Sequence, residues 1–283
     1  TINAATYLGL DTFIGGIAPG RRADVLILPN LIEFRPELVI SGGKIVAENG
    51  KMKVVLPNME WDKYLIREPF LFSKEVLENY DLYRFPHTSE KKKVPVIYFR
   101  SNVITQRKDM NLPSANGFVD ISEQEGLLYA VLIDRNGKWV SKGILERFAT
   151  NLDGFASTYN TTTELLVIGR NPNAMAKAAA RVYEMGGGIV IVGGEEIALE
   201  IHLPFTGMMT KDSSFHTALV LHNELLRAVQ DRGFPFHDIL YTLLFLTCDF
   251  LPGLRIVPFG LLDVKTNDIL LKSEPLENFI LQK

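Results

Sequence analysis

Hydrophobic and polar positions along the first sixty residues predict a short helix followed by a small sheet. The opening TINAATYLGL has the spacing of a helix, with Thr1 as its cap and Gly9 as its stop. Short apolar runs then predict strands, and Gly42-Gly43 has the composition of a two-residue hairpin turn. The predicted strands span 23–28, 38–41 and 44–48, and 51–55 is a candidate for a fourth.

Beyond residue 93 the pattern changes to alternating strands and helices. The buried-type strand 165–169 precedes a helix over 171–188, in which Asn171 is the expected cap, Pro172 the first residue and Gly186 the C-terminal stop. Strand 189–192 completes a βαβ unit, for which a right-handed parallel crossover is expected. The other predicted elements are strands 96–105, 127–134 and 197–203, an amphipathic helix over 217–232 with Leu219, Leu221, Leu225, Leu226 and Val229 on one face, and a buried apolar run over 241–250.

These elements divide the chain into three segments of a mixed α/β fold. Residues 1–56 form the helix and the small sheet, and residues 94–283 form the larger α/β part. Between them, residues 57–93 carry irregularly spaced aromatic residues and the charged run SEKKK. We predict that 57–93 is a connector whose aromatic side chains pack against a neighbouring part of the protein.

Composition narrows the classes of function. Hydrophobic residues make up 47% of the 283 residues and charged residues 22%, as in ordinary globular proteins. The net charge of −3 argues against nucleic-acid binding. The one cysteine, Cys248, excludes an internal disulfide and suits the cytoplasm, where we expect it to be a core residue. No uncharged apolar run approaches about 20 residues, so no membrane span is predicted.

The histidines and glycines argue against common catalytic sites within this chain. The five histidines form neither a His-x-His pair nor an HExxH helix, so neither metal ligands nor catalytic residues are predicted here. His202 is expected at a strand end, and His216 and His222 on a helix surface. The glycines of 186–188 and 193–194 lack the order of a phosphate-binding loop and predict a helix cap and a turn. No G-x-S-x-G nucleophile elbow is present.

One polar segment, within ASTYNTTTELLVIG at 156–169, is a candidate binding site. Five short polar residues precede the apolar strand: Thr158, Asn160, Thr161, Thr162 and Thr163. The carboxylate of Glu164 follows them directly before the strand. Polar loops at strand ends often bind ligands in α/β folds. The same side chains can equally bond to their own backbone in a turn or bulge. The sequence leaves both possibilities open.

Several blocks of sequence resemble a known enzyme family. GGIAPGRRADVLIL and VISGGKIVAENGK closely resemble the point at which the chain of an amidohydrolase-superfamily enzyme leaves its metal-binding (β/α)8 barrel and enters a small β-sandwich. FASTYNTTTELLVIGRNPNAMAKAAARVYEMGGGIVIV, LPFTGMMT and LLFLTCDFLPGLRIVPFGLLDV together resemble the C-terminal domain of bacterial adenine deaminases. The resemblance covers nearly the whole chain and is weakest over 57–93.

The resemblance implies a function for a longer protein. Its barrel, absent from this chain, would bind a divalent metal (Mn, Fe or Zn) and hydrolyse adenine to hypoxanthine and ammonia. This chain would be the C-terminal half, since it begins at Thr1 with no initiator methionine. It would be inactive alone, because the metal ligands would precede Thr1 in the barrel. The implied partners are a purine-like small molecule, the N-terminal barrel half and a second copy in a homodimer.

Two departures from the family pattern affect the substrate. Asn160-Thr161-Thr162-Thr163-Glu164 stands where the family shows His-Asp-Ser-His-Asn, and Asp134-Arg135-Asn136-Gly137 where it tends to show Glu-Arg-His-Gly. Arg135 and Asn136 therefore join the candidate substrate-binding residues. Because three histidines are absent, the intact enzyme could act on a different amine or amide. A third possibility is a non-catalytic module that serves dimerisation or caps the barrel.

Overall fold

The computed structural model describes residues 1–57, 60, 63, 70–87, 93–211 and 214–280. It divides the chain into two compact units, Thr1–Glu60 and Trp61–Lys283. Trp61, Tyr64 and most of the charged run SEKKK lie outside the described residues.

Helices are few and strands are many in the described residues. The α-helices are α1 (Ile2–Tyr7), α2 (Pro172–Met185), α3 (Phe215–Gln230) and α4 (Ile239–Leu246), and short 3-10 helices span Lys74–Glu78, Tyr80–Tyr83 and Leu276–Phe279. The strands are β1 (Val25–Ile27), β2 (Leu38–Ser41), β3 (Lys44–Glu48), β4 (Lys51–Met52), β5 (Val94–Phe99), β6 (Thr105–Met110), β7 (Ser114–Ala115), β8 (Phe118–Val119), β9 (Leu127–Ile133), β10 (Trp139–Glu146), β11 (Gly154–Ser157), β12 (Leu165–Gly169), β13 (Gly188–Gly193), β14 (Glu196–His202), β15 (Leu254–Val257), β16 (Gly260–Asp263), β17 (Asp268–Lys272) and β18 (Glu274–Pro275). None of the described helices is both long enough and apolar enough to cross a membrane.

The first unit contains α1 and an antiparallel sheet in the order β1-β2-β3-β4. Gly42 and Gly43 form the β2–β3 turn with φ of 56° and 80°, which a two-residue turn of this kind requires. The predicted bounds of β2 and β3 are confirmed, whereas β1 and β4 are shorter than predicted. Several large apolar side chains of this unit are exposed, among them Leu31 (91%), Ile32 (92%) and Val55 (96%).

A nine-stranded sheet organises the second unit. Its order is β14-β13-β11-β12-β9-β10-β5-β6, and β18 also pairs with β10. All of its strand pairs are antiparallel except β10 with β5. Within the described residues no sheet closes into a barrel, and the mixed α/β fold predicted from the sequence is confirmed.

The predicted βαβ unit is present with one strand inserted. Both β12 and β13 run antiparallel to β11, which lies between them, so the two strands are parallel but not neighbours. Helix α2 begins as predicted, with the Asn171 side chain accepting a hydrogen bond from Asn173 N, and it ends at Gly186 with φ of 74°. The helix lies very close to the sheet, because a Cβ at Gly154 would stand 2.3 Å from the Ala174 carbonyl oxygen.

The structure corrects three predictions and adds one strand that was not predicted. The strand predicted over 96–105 ends at Phe99, and Thr105 begins the antiparallel partner β6. Strand β10 was not predicted because it buries Ser141 and Lys142 and so lacks an apolar alternation. The run 241–250 is not buried throughout, since α4 ends at Leu246 and Tyr241 and Phe250 are 54% and 65% exposed. The face predicted for α3 is also too wide, because Leu219 is 45% exposed.

Part of the predicted connector belongs to the core of the second unit. Phe70, Leu77, Leu82 and Tyr83 are buried in the same cluster as the large sheet. Tyr83 also donates a hydrogen bond to the Leu77 carbonyl oxygen at 2.8 Å. Phe70, Tyr83 and Phe85 thus pack as expected, whereas Tyr80 is 50% exposed. The domain division at 57–93 stays a prediction.

Candidate functional site

The candidate polar segment forms the connection between β11 and β12, and residues 158–164 are called the Thr-rich junction below. Both flanking strands are fully buried, so the junction begins and ends in the interior of the sheet. Thr158 and Asn160 are inaccessible to solvent, and Glu164 is 8% exposed. Thr162 and Thr163 are half-buried, and Thr161 is exposed.

Thr158 joins three segments of the chain. Its hydroxyl donates to the Gly207 carbonyl oxygen and accepts from the Gly188 amide, both at 2.9 Å. A Cβ at Gly207 would lie 2.4 Å from this hydroxyl oxygen, so glycine is needed for the loop to approach. Thr158 therefore fastens the 203–211 loop and the start of β13 to the sheet.

The Asn160 side chain makes a compact turn with its own backbone. Its Oδ1 accepts from the Thr162 amide at 3.1 Å and from the Thr162 hydroxyl at 2.7 Å. Its Nδ2 donates to the Glu164 carbonyl oxygen at 2.9 Å. This Asx-type turn is the backbone-bonding alternative that the sequence left open.

Thr161 ties the junction to the end of α4. Its hydroxyl lies 2.8 Å from that of Thr247, and its amide donates to the Leu244 carbonyl oxygen at 3.2 Å. Thr163 adopts φ of 58°, the left-handed region, where a β-branched residue is an outlier. The surrounding turn holds this conformation, since the Thr163 amide donates to the Asn160 carbonyl oxygen at 3.0 Å.

Arg135 reaches the junction from the β9–β10 turn. Its Nε donates to the Thr163 carbonyl oxygen, and its backbone amide donates to the Glu164 carboxylate. The guanidinium also stacks over the Phe70 ring at 4.9 Å, and Arg135 is only 2% exposed. Such a buried cation needs this set of acceptors, because an unpaired charge in the interior is strongly unfavourable.

Asn136 does not join this group. It is exposed, and both its amide and its Nδ2 donate to Asp134 Oδ1 at 3.1 Å within the turn. The structure therefore brings Arg135 together with Thr163 and Glu164 and leaves its sequence neighbour at the surface.

An apolar cavity of about 270 Å³ lies beside the junction. Tyr159 lines it together with Met208, Leu240 and His222, and His222 is half-buried rather than fully on the surface of α3. Burial raises the pKa of the Tyr159 phenol, and nearby Asp238 and Tyr241 raise it further, so the phenol stays a neutral donor. This cavity was not predicted from the sequence, because its lining comes from β13, β14, α3 and α4 as well as from Tyr159.

The junction as it stands is a hydrogen-bonded support beside an apolar cavity. Its fully buried polar side chains bond to protein groups. The exposed Thr161 and the half-buried Thr162 and Thr163 are therefore the ones that a ligand could reach. In the described parts of the chain, no three His, Cys, Asp or Glu side chains come close enough to hold a metal ion. The assignment of the eight candidate residues to substrate binding stays a prediction.

Comparison with known proteins places this unit in a family. The model of the adenine deaminase C-terminal domain matches residues 102–268. The chain is 30% identical, over 96% of its length, to the putative adenine deaminase YerA of Bacillus subtilis and 32% identical, over 95%, to the putative adenine deaminase OB0751 of Oceanobacillus iheyensis. It is 30% identical, over 98%, to the adenine deaminase of Ruegeria pomeroyi.

The match covers 45% of the first two of these proteins and 46% of the third, so the chain spans about half the length of the curated relatives. Because the family model covers more than half of the chain, this protein belongs to the adenine deaminase C-terminal domain family.

Proposed function

We propose that this chain is the C-terminal part of a cytoplasmic, metal-dependent hydrolase that releases ammonia from adenine and leaves hypoxanthine. The observation that carries the proposal is the family match together with relatives that are named adenine deaminases and are about twice as long. The role of the chain is then to complete an enzyme whose reaction centre lies in the other half.

The proposed metal, Mn, Fe or Zn, belongs in that other half. The described residues of this chain offer no cluster of three metal-binding side chains, so they do not fit the ion as its ligands. We therefore assign this chain no step in the hydrolysis itself. Its expected contribution is structural, through the hydrogen-bonded Thr-rich junction.

The exposed apolar side chains of the first unit support a protein partner. Leu31, Ile32, Phe34 and Val55 are between 82% and 96% exposed, and water is a poor solvent for such side chains. A barrel half that covers them would bury this surface and complete the small sandwich. We propose the N-terminal half as that partner, with the homodimer contact made elsewhere.

Ammonia release tests the proposal. The intact protein, loaded separately with Mn, Fe or Zn, should deaminate adenine, while residues 1–283 alone should neither deaminate it nor retain metal at about one ion per chain. Activity or stoichiometric metal in the isolated chain would contradict the placement of the metal and the reaction centre in the other half. A fully metal-loaded intact protein that leaves adenine unchanged would contradict adenine as substrate.

A second candidate is hydrolysis of a different amine or amide. It is supported by Asn160, which binds its own turn where the resembled family shows a histidine, so the junction offers no imidazole. A panel of aminopurines, aminopyrimidines and amides, assayed for ammonia with the same metal-loaded protein, separates this candidate from adenine deamination. If no compound reacts, the remaining possibility is a module for dimerisation or barrel capping.

A further inference from the structure

We infer that a surface pocket at one end of the large sheet binds a phosphate-bearing aromatic small molecule, independently of the deamination proposed above. The pocket has a volume of about 590 Å³, within the range of about 300–1,000 Å³ typical of small-molecule sites. The turn after β5, the residue after β10 and the segment before α4 form its walls. The lining residues that matter here, called the arginine pocket, are Arg100, Asn102, Arg147, Phe236, His237 and Tyr241.

Two guanidinium groups supply the positive charge. Arg147 Nη1 lies 3.4 Å from the carbonyl oxygens of both Phe99 and Arg100, long contacts that leave its other N–H donors for a ligand. In the described residues neither arginine forms an ion pair with a carboxylate. Two arginines in the lining of one pocket suit the oxygens of a phosphate group, because a guanidinium can donate several N–H groups at once.

The acidic residue in the lining does not cancel this charge. Asp238 caps α4, and its Oδ1 accepts a hydrogen bond from the Tyr241 amide at 2.9 Å. Among the described lining residues Asp238 is the only acidic one, against Arg100 and Arg147. The pocket therefore carries a net positive charge, although the whole chain has a net charge of −3.

Arg147 occupies a backbone conformation that favours glycine. Its φ is 65°, which an arginine adopts only at an energetic cost. The conformation places its guanidinium over the Phe236 ring, 5.4 Å from the ring centre, at the pocket wall. The charge of Arg147 is therefore held at the pocket wall.

The aromatic and polar side chains of the lining favour a ligand that contains an aromatic ring. Tyr241 is 54% exposed, and Asn102 Nδ2 lies 3.3 Å from His237 Nε2 in the pocket lining. A flat ring can stack on such an aromatic face while the arginines bind the phosphate. Beneath the turn, the fully buried Arg255 donates to the Val103 carbonyl oxygen at 2.7 Å and holds this wall in place.

Calorimetric titration of the full 283-residue chain tests the inference, with adenosine monophosphate, adenosine and orthophosphate as probes. The monophosphate should bind. Adenosine lacks the phosphate and orthophosphate lacks the aromatic ring, so each should bind at least about tenfold more weakly. Absence of monophosphate binding to the wild type overturns the site. Adenosine binding as tight as that of the monophosphate overturns the phosphate contact, and orthophosphate binding as tight overturns the aromatic contact.

Two variants assign the binding to the arginines. Arg147→Gly removes the guanidinium and relieves the backbone, and Arg100→Gln removes only the charge; each should weaken monophosphate binding about tenfold. Arg170→Gln is the matched control, since Arg170 is also exposed and donates to a carbonyl oxygen, that of Ser122, at 3.3 Å. Equal weakening by the control overturns the inference. If Arg147→Gly fails to fold, Arg100→Gln alone decides, and unchanged affinity there is equally contradictory.

Discussion

Lys142 lies on β10 with its ammonium group enclosed by protein, and replacing it measures what this buried charge does to stability. Its side chain is 2% exposed, and Nζ donates to the Asp81 carbonyl oxygen at 3.0 Å. Glu274 Oε1 is 3.7 Å away, and the Phe279 ring centre is 4.3 Å away. Burial lowers the pKa of Lys142 from 10.5 to about 8, against a partial rise from Glu274 and Asp81.

This lowered pKa determines the sign and size of a pH effect. Below pH 8 both the folded and the unfolded chain carry the proton on Lys142. Between about pH 8 and 10.5 only the unfolded chain carries it, so the free energy of unfolding rises with pH by up to about 1.4 kcal/mol per unit. The expected contribution of Lys142 between pH 7 and pH 9.5 is a gain of about 2 kcal/mol.

Urea unfolding at pH 7 and pH 9.5 measures this gain by comparison with Lys142→Met. Methionine keeps the chain length and suits the aromatic surroundings, and it removes the titrating group. From pH 7 to pH 9.5, the free energy of unfolding of the wild type should rise by about 2 kcal/mol relative to that of Lys142→Met. Lys265→Met, at an exposed turn, controls for the loss of one positive charge. If wild type and Lys142→Met change in parallel with pH, the reasoning from burial is refuted.

Three further predictions concern the junction, the small sheet and the helix contact. Thr161→Ala with Thr163→Ala should lower the free energy of unfolding, measured with urea, by about 1 kcal/mol, because the hydrogen bond between the Thr161 and Thr247 hydroxyls is lost. Unchanged stability together with a ten- to hundredfold fall in kcat/KM of the intact enzyme would instead place these hydroxyls at the substrate. Amides of 1–56 should exchange with deuterium well before those of 165–260, because a small, largely exposed sheet opens first, and equal protection would contradict this. Gly154→Val should destabilise by more than about 3 kcal/mol or prevent folding, since its side chain would meet the α2 backbone, and a normal melting temperature would refute that packing.

Local signals in the sequence determined the local elements. Asn171, Pro172 and Gly186 define α2 because capping, a fixed φ and a left-handed stop each depend on neighbouring residues alone. Gly42-Gly43 defines its hairpin for the same reason. The quoted sequence blocks also indicated the family, because a contiguous motif can be recognised without the tertiary structure.

Only the tertiary structure decided what the Thr-rich junction does. A threonine hydroxyl can bond to its own backbone, to a distant segment or to a ligand, and the choice depends on which segments fold beside it. Thr161 meets Thr247, 86 residues away. Thr158 meets Gly188 because β13 pairs with β11 instead of β12. Lys142 was equally unpredictable from the sequence, because the enclosure of its ammonium group comes from distant parts of the chain. Contacts of this kind depend on strand order, which a one-dimensional pattern of polar and apolar positions does not contain.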